Sequence, residues 1–483
     1  MTGLHCRGRR IAAALIAALV VGRSATIAAP PRPPNIVLML ADDQGWDGLS
    51  VAMAPDIDGS KSTLFHTPRL EAFAHQGMRF TDAYSPAPVC SPSRISIQCG
   101  RTPAALHWTK AAPPETGHRL LEPRDIRDIP AAAITVGDML RQAGYATAHY
   151  GKWHIGGGGP GANGYDEHDG DVGNEQAFRF TDPNPVDIFG MAARAEAFMQ
   201  KARDSGKPFF VQLSWNALHA PENALEATKR RYANADGTGR QLERAAITED
   251  LDTGVGRVLD AIDRLGLAGT TYVIYTSDNG SGGGGGGGGG RRTGLTGGKG
   301  SVWEGGVRVP FIVRGPGVKA DSFCRVPVVG WDLFPTFCHW AGVPVDKLPA
   351  GLEGGSLAPL LAQGGTGTVP RAVDGLVFHF PHYQSGHTPH AAIRVGDMKL
   401  IEFFEDGSAK LFDLVADPGE RQDLAPARAD VARDLRQRLD RYLAAVDARM
   451  PAPNPDFDPA APPPPRKQGG GGRMGNAQGK GAR

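Results

Sequence analysis

Ile36-Val37-Leu38-Met39-Leu40-Ala41-Asp42-Asp43 is an apolar run that stops on two adjacent carboxylates. Residues 36–40 show no polar alternation, so a strand here would have both faces covered, as in a mostly parallel sheet sandwiched by helices. Three further runs repeat the arrangement. Residues 145–150 precede Lys152 and His154, residues 209–215 precede His219, and residues 272–276 precede Asp278 and Asn279. Helical patterns lie between them. One opens at Thr135, passes through Met139 and Leu140 and stops at Gly144. A stronger one carries Ile247, Leu251, Val255, Val258, Ile262 and Leu265, spaced by threes and fours, and ends at Gly266. Strands alternating with helices predict an α/β fold built on a large, mostly parallel sheet. Ligands of such sheets bind beyond the carboxyl ends of the strands. Four separate strands thus deliver charged or ligating groups to one edge.

The sheet pattern predicts a catalytic α/β domain over 34–370. From Arg371 the pattern changes: 391–395, 399–404 and 409–414 read as strands, with Gly396 and Gly407 at the turns. A helix follows over 426–446, giving a C-terminal α+β subdomain over 371–450. Residues 451–483 are rich in Pro and Gly and poor in apolar side chains, which predicts a disordered tail. The glycine run 282–290 is read as a mobile loop at the pocket rim. At the other end, Arg7, Arg9 and Arg10 precede an apolar run over 11–21 and then small residues to Ala29, so 1–29 reads as a secretory signal peptide. Eleven apolar residues are too few to cross a bilayer, which takes about 20. The expected location is therefore periplasmic or secreted. The formal net charge is +1, which gives no reason to expect nucleic acid as a partner. Cys90, Cys99, Cys324 and Cys338 remain once Cys6 leaves with the leader. They are too few for a disulfide scaffold, and spacing does not decide whether Cys324 and Cys338 pair.

The segment Val89-Cys90-Ser91-Pro92-Ser93-Arg94 closes at Gly100. Ser91 is a fitting helix cap, Pro92 suits the first helical position, and Gly100 can end the helix. Cys90 then sits at a helix N-terminus, where N–H groups favour negative charge. Read as a bare thiol, it is open to two roles: nucleophile or buried core residue. Cys90-Ser-Pro-Ser-Arg94 with Gly100-Arg101 resembles the signature of type I sulfatases, within the alkaline phosphatase superfamily. Asp42-Asp43-Gln44-Gly45, Gly151-Lys152-Trp153-His154, His219-Ala220-Pro221, Ser277-Asp278-Asn279-Gly280 and Gly298-Lys299-Gly300 look like further motifs of that family, in its order. The resemblance spans roughly residues 34–426.

That resemblance implies a sulfatase hydrolysing sulfate monoesters, with sulfated carbohydrates as substrates and aryl sulfates as surrogates. It implies that a formylglycine-generating enzyme oxidises Cys90 to an aldehyde. The hydrated aldehyde carries two hydroxyls, one to attack sulfur and one to drive sulfate out. Asp42, Asp43, Asp278 and Asn279 offer only oxygen, a set that suits calcium, or less well magnesium, rather than zinc. The modified Cys90 would complete the metal's surroundings. Lys152 and Lys299 would clamp sulfate, and Arg94 would hold the diol. In the family's pattern His219 protonates the leaving group with help from Lys299, and His154 takes the proton that lets the aldehyde re-form.

Four histidines crowd 379–390: His379, His382, His387 and His390. Three readings stand open: a zinc site, a solvated connection, or a pocket-mouth loop that hydrogen-bonds a sugar, with His382 as the substrate contact. Two departures from the family's pattern are visible. Ile97-Gln98-Cys99 stands where small or apolar residues are usual, and the glycine run replaces a loop that carries distinctive side chains. The rival activity is a phosphatase or phosphodiesterase of the same superfamily. Those enzymes place Ser or Thr at the nucleophile and use His-rich zinc sites, unlike Cys90 and its oxygen donors.

Overall fold

The computed structural model describes residues 1–3, 32–282 and 294–460. The body of the expected leader, all but the first residue of the glycine run, and 461–483 lie outside the described residues. The main sheet comprises β1 (Asn35–Ala41), β2 (Met78–Phe80), β3 (Ala146–Gly151), β4 (Glu167–His168), β5 (Phe209–Ser214), β6 (Thr271–Ser277), β7 (Phe311–Arg314) and β8 (Ser322–Cys324). Their order is β8-β2-β7-β6-β1-β5-β3-β4. Only β7 runs against its neighbours, and every other pairing is parallel. The four strands read from the sequence are β1, β3, β5 and β6, the contiguous parallel centre. The short strands β2, β4, β7 and β8 have too few residues to show a period.

The unbroken apolar run of β1 has a direct explanation. Val37, Met39 and Ala41 enter one core, while Ile36, Leu38 and Leu40 enter another on the opposite face. The helices covering the first face include α4 (Ile188–Asp204) and α5 (Gly239–Arg264), the latter supplying Ile247, Leu251, Val255, Val258 and Ile262. The second face is covered by α2 (Cys90–Cys99), α3 (Val136–Gln142) and α6 (Leu333–Trp340), with α1 (Pro68–Gln76) on the first side. Each large aliphatic side chain so buried contributes roughly 1.5–3 kcal/mol. Thr135 caps α3 and is answered by Asp138, a reciprocal capping box.

The C-terminal sheet is antiparallel, in the order β9 (Leu376–Phe380), β10 (His390–Val395), β11 (Met398–Phe403) and β12 (Ala409–Asp413). Its strands alternate between two cores. Phe378, Phe380, Ala392, Ile401 and Phe412 pack on Tyr84, Val302, Val307 and Trp331 of the catalytic part. Val377, Ala391, Ile393, Leu400 and Leu411 pack on Leu435, Leu439 and Leu443 of α7 (Ala429–Ala445). Of the expected tail, Ala452–Pro453 pairs antiparallel with Leu120–Leu121. Cys324 and Cys338 are buried, free thiols within the second core. Among the described residues no helix is long and apolar enough to cross a membrane.

Candidate active site

Because β3, β5, β1 and β6 are mutually parallel, their carboxyl ends share one edge of the sheet. Helix α2 brings Cys90 to that edge. It starts at Cys90 itself, two residues earlier than the sequence reading, and Gly100 ends it in the left-handed region at φ 63°. Ser91 does not cap the helix. Its hydroxyl instead lies 3.2 Å from His154 Nδ1, so a residue read as structural stands beside a site histidine.

Cys90 Sγ lies 3.3 Å from Asp42 Oδ1, 4.0 Å from Asp43 Oδ1 and 3.3 Å from Lys299 Nζ. Burial, and then the Asp42 carboxylate, push its thiol far above the ordinary range. A cysteine nucleophile needs the opposite, since the thiolate is the reactive form. Around the sulfur, Lys152 Nζ donates to Asp42 Oδ2 at 2.5 Å and Lys299 Nζ to Asp43 Oδ1 at 2.5 Å. Arg94 grips Asp278 Oδ2 through Nε at 2.9 Å and Nη2 at 2.7 Å, and donates from Nη1 to the Lys152 carbonyl at 2.6 Å. Burial opposes ionisation of Asp42, but Lys152, with His219, Arg94 and Lys299, outweighs it and holds the carboxyl well below its usual range. Asp278 goes the other way, to about 6, because burial and the Asp42 charge outweigh Arg94.

The donor set fits a hard cation. Ligating atoms of Asp42, Asp43, Cys90 and Asp278 all lie within 4.8 Å of one another. Asn279 Nδ2 donates to Asp43 Oδ1 at 2.8 Å. Its buried Oδ1 has no hydrogen-bond partner among the described residues, an acceptor that a cation would satisfy. Three carboxylates face three side-chain cations, so a divalent ion would leave the cluster with net positive charge for an anionic ligand.

The two histidines are held differently. His219 Nδ1 lies 2.8 Å from the Ala220 carbonyl, which only accepts, so that nitrogen carries a proton. Its Nε2 faces the Asn174 side-chain amide at 3.4 Å. Burial, then Lys299, lower the His219 pKa. Burial, then Lys152 and Arg94, lower that of His154 to about 2, keeping this ring neutral. Both shifts favour the neutral ring. Asn174 gave no motif in the sequence, and neither did Arg244, which donates to the carbonyls of Leu218 and Asp43 and braces both loops.

His382 is not brought to this cluster. Its Nδ1 contacts Glu122 Oε2 at 2.8 Å and its Nε2 contacts Thr109 Oγ1 at 2.7 Å. With both nitrogens occupied and the side chain 1% exposed, it belongs to a buried network with Lys110 and Glu122. His379 and His390 are buried on β9 and β10. The four histidines form no metal-holding group among the described residues.

The family model described as "Sulfatase" matches residues 34–343, and one described as "N-sulphoglucosamine sulphohydrolase, C-terminal" matches 298–445. Arylsulfatase A of Homo sapiens is 31% identical, the match covering 86% of this chain and 89% of that protein. N-acetylgalactosamine-6-sulfatase of Rattus norvegicus is also 31% identical, over 70% of this chain and 67% of its own length. Among solved structures, Ps i-CgsB in complex with k-i-k-neocarrahexaose superposes with a TM-score of 0.68. It has 24% identity, with 85% of this chain and 93% of that one covered, a likeness of fold.

Proposed function

This chain belongs to the sulfatase family and is a sulfuric ester hydrolase, and on that premise we propose that it removes sulfate from carbohydrates, using a formylglycine made from Cys90 and a calcium ion. One observation carries the proposal: Asp42, Lys152 and Asp278 from three strand ends, with Lys299, surround the sulfur of Cys90 while the protein suppresses its thiolate. A suppressed thiolate is a poor nucleophile, and replacing the thiol by an aldehyde removes that handicap. The hydrated aldehyde supplies a hydroxyl nucleophile and a second hydroxyl for expelling sulfate. Calcium, held by Asp42, Asp43, Asp278 and Asn279, supplies positive charge where negative charge develops.

The chain's own residues do the rest. Lys152 and Lys299 point their ammonium groups at the carboxylates beside Cys90, placing them to bind the sulfate oxygens. Arg94 ties Asp278 to the Lys152 backbone, fixing one carboxylate and the start of one loop together. His219 serves the leaving-group oxygen and His154 the hydroxyl on residue 90. Family membership decides against the phosphatase or phosphodiesterase. Carbohydrate specificity has its support in the sugar sulfatase among the relatives, and aryl sulfates serve as surrogates. His382 takes no direct part in binding substrate. Export belongs to the same proposal, on the strength of Arg7, Arg9, Arg10 and the apolar run that follows, and a formylglycine-generating enzyme is the maturation partner.

The test is the mass of the tryptic peptide containing Cys90, paired with activity on sulfated mono- and oligosaccharides. Coexpression with the maturation enzyme should convert thiol to aldehyde and raise turnover in proportion. Chelation should abolish activity, with calcium restoring it better than magnesium. Full turnover by protein carrying only unmodified cysteine would refute the nucleophile, and turnover of aryl sulfates alone would refute the substrate class.

A further inference from the structure

Gln98 departs from the family's apolar habit, and the structure gives that departure a use. It is buried in α2 at the four-residue spacing that also relates Cys90 and Arg94, so the three lie along one stripe of the helix. Its Nε2 donates to Gln212 Oε1 at 2.9 Å, and its Oε1 accepts from the Tyr165 hydroxyl at 2.9 Å. Gln212 lies on β5, on the face it shares with Phe210 and Ser214, and pairs in register with His149 of β3. Its Nε2 continues to Ser214 Oγ at 3.0 Å, and that oxygen reaches His149 Nε2 at 3.3 Å. The Ser214 carbonyl in turn accepts from the Lys152 N–H at 2.7 Å. A polar chain therefore runs from the helix of Cys90 and Arg94, through the sheet, to the strand end that carries Lys152. All its members are buried.

We propose that Gln98 is a positioning residue, whose amide contact with Gln212, completed by Tyr165, sets the rotation and register of the nucleophile helix on the sheet. Apolar packing tolerates small slips, because it has no direction. Buried amides do not. A rotation of the helix would leave both ends of the buried Gln98 amide unpaired, each at about 1–3 kcal/mol, while Tyr165 keeps its 3.3 Å contact to Gln212 Oε1. Because both ends of the Gln98 amide are paired in one arrangement and not in a rotated one, the network selects that arrangement. Since Cys90 and Arg94 share the stripe with Gln98, fixing one fixes all three. Lys152 and Lys299 sit on other elements, and Lys152 is anchored to the sheet by the Ser214 carbonyl as well as by Arg94, so they shift less than Cys90 when the helix turns. The inference rests on Cys90 carrying the nucleophile, and it separates attack from anion binding.

The experiment uses the whole, converted enzyme, with kcat expressed per formylglycine found by peptide mass. Gln98→Leu should lower kcat by about tenfold or more, the scale of a sub-ångström misplacement, while inhibition by inorganic sulfate stays unchanged. Tyr165→Phe removes one hydroxyl, is the gentler variant and should lower kcat in the same direction. Gln98→Leu/Gln212→Leu sets apolar against apolar and should regain thermal stability without regaining kcat. Recovery of kcat along with stability would reduce Gln98 to a fold-stabilising residue and overturn the proposal, as would an unchanged kcat in Tyr165→Phe. Hydrogen exchange across 90–99 gives a reading independent of activity. Unconverted Tyr165→Phe should exchange faster there than unconverted wild type, and identical exchange would overturn the positioning role even if the wild type proved inactive on every ester tried.

Discussion

His154 and His219 stand on the same sheet edge but are wired for different work. The Ser91 hydroxyl beside His154 Nδ1 and the Ala220 carbonyl on His219 Nδ1 fix which nitrogen of each ring faces the site. His219 also faces, through Nε2, Asn174 at the start of the short helix Asn174–Ala177. If His219 protonates the leaving group, His219→Ala should slow esters with poor leaving groups by about 10²–10⁴-fold, and activated aryl sulfates far less. Rates across a series of leaving groups check this, and equal losses throughout would move the acid elsewhere. His154→Ala should instead release one leaving group per site in a burst and then nearly stop, because the proton acceptor for the second half-reaction is gone. Stopped-flow traces with an aryl sulfate check it, and steady release without a burst would exchange the roles.

At the scale of elements, helix α2 depends on its last turn as much as on its first. Gly100 adopts φ 63°, and a Cβ there would lie 2.7 Å from Leu352 Cδ2 and 2.9 Å from Phe334 Cβ. Gly100→Ala should therefore cost about 1–3 kcal/mol in left-handed backbone strain alone, with the contacts adding to it. Urea denaturation at constant slope measures this, and an unchanged midpoint would mean the helix end can relax. Gly100 was legible in the sequence as a helix terminator, and so were the four central strands, because a parallel strand buried on both faces shows its apolar run undiluted. Asp42, Asp43, Lys152 and Asp278 were visible as the polar groups that end those runs, which tells where they stand along the chain. Asn174 and Arg244 were not, because their roles come from contacts between elements that meet only in three dimensions. His382 misled because clustering in sequence says nothing of direction: Glu122 and Thr109 claim its nitrogens from 260 and 273 residues away. Strand β9 was missed because its histidine was grouped with a loop.

Over the whole molecule, the C-terminal sheet is joined to the catalytic part by charge as well as by its apolar face. Lys399 of β11 is completely buried and lies 2.9 Å from Glu304 Oε1 and 2.8 Å from Glu420 Oε1. Glu420 Oε2 also accepts the Glu304 backbone N–H at 2.7 Å. Arg308 and Arg394 face the same cluster, with Tyr84 and Asp82. One lysine thus serves two carboxylates, and they do not fare alike. Lys399, with Arg308 and Arg394, overcomes the burial of Glu304 and holds it below its ordinary value, whereas burial wins at Glu420 and raises it from 4.5 to about 7. Between those two values the folded protein keeps a proton on Glu420 that the unfolded chain has released. Its contribution to stability is therefore complete below 4.5 and is lost as pH rises through about 7. Glu420→Gln keeps an acceptor for the Glu304 N–H but has no proton to lose. Compared with wild type, the variant should be relatively more stable at pH 8 than at pH 5. Thermal denaturation of both proteins at the two pH values measures the difference, in which titrating groups remote from this cluster cancel. An offset that is the same at both would show that Lys399 satisfies both carboxylates, and that the joint between sheet and catalytic part is indifferent to pH.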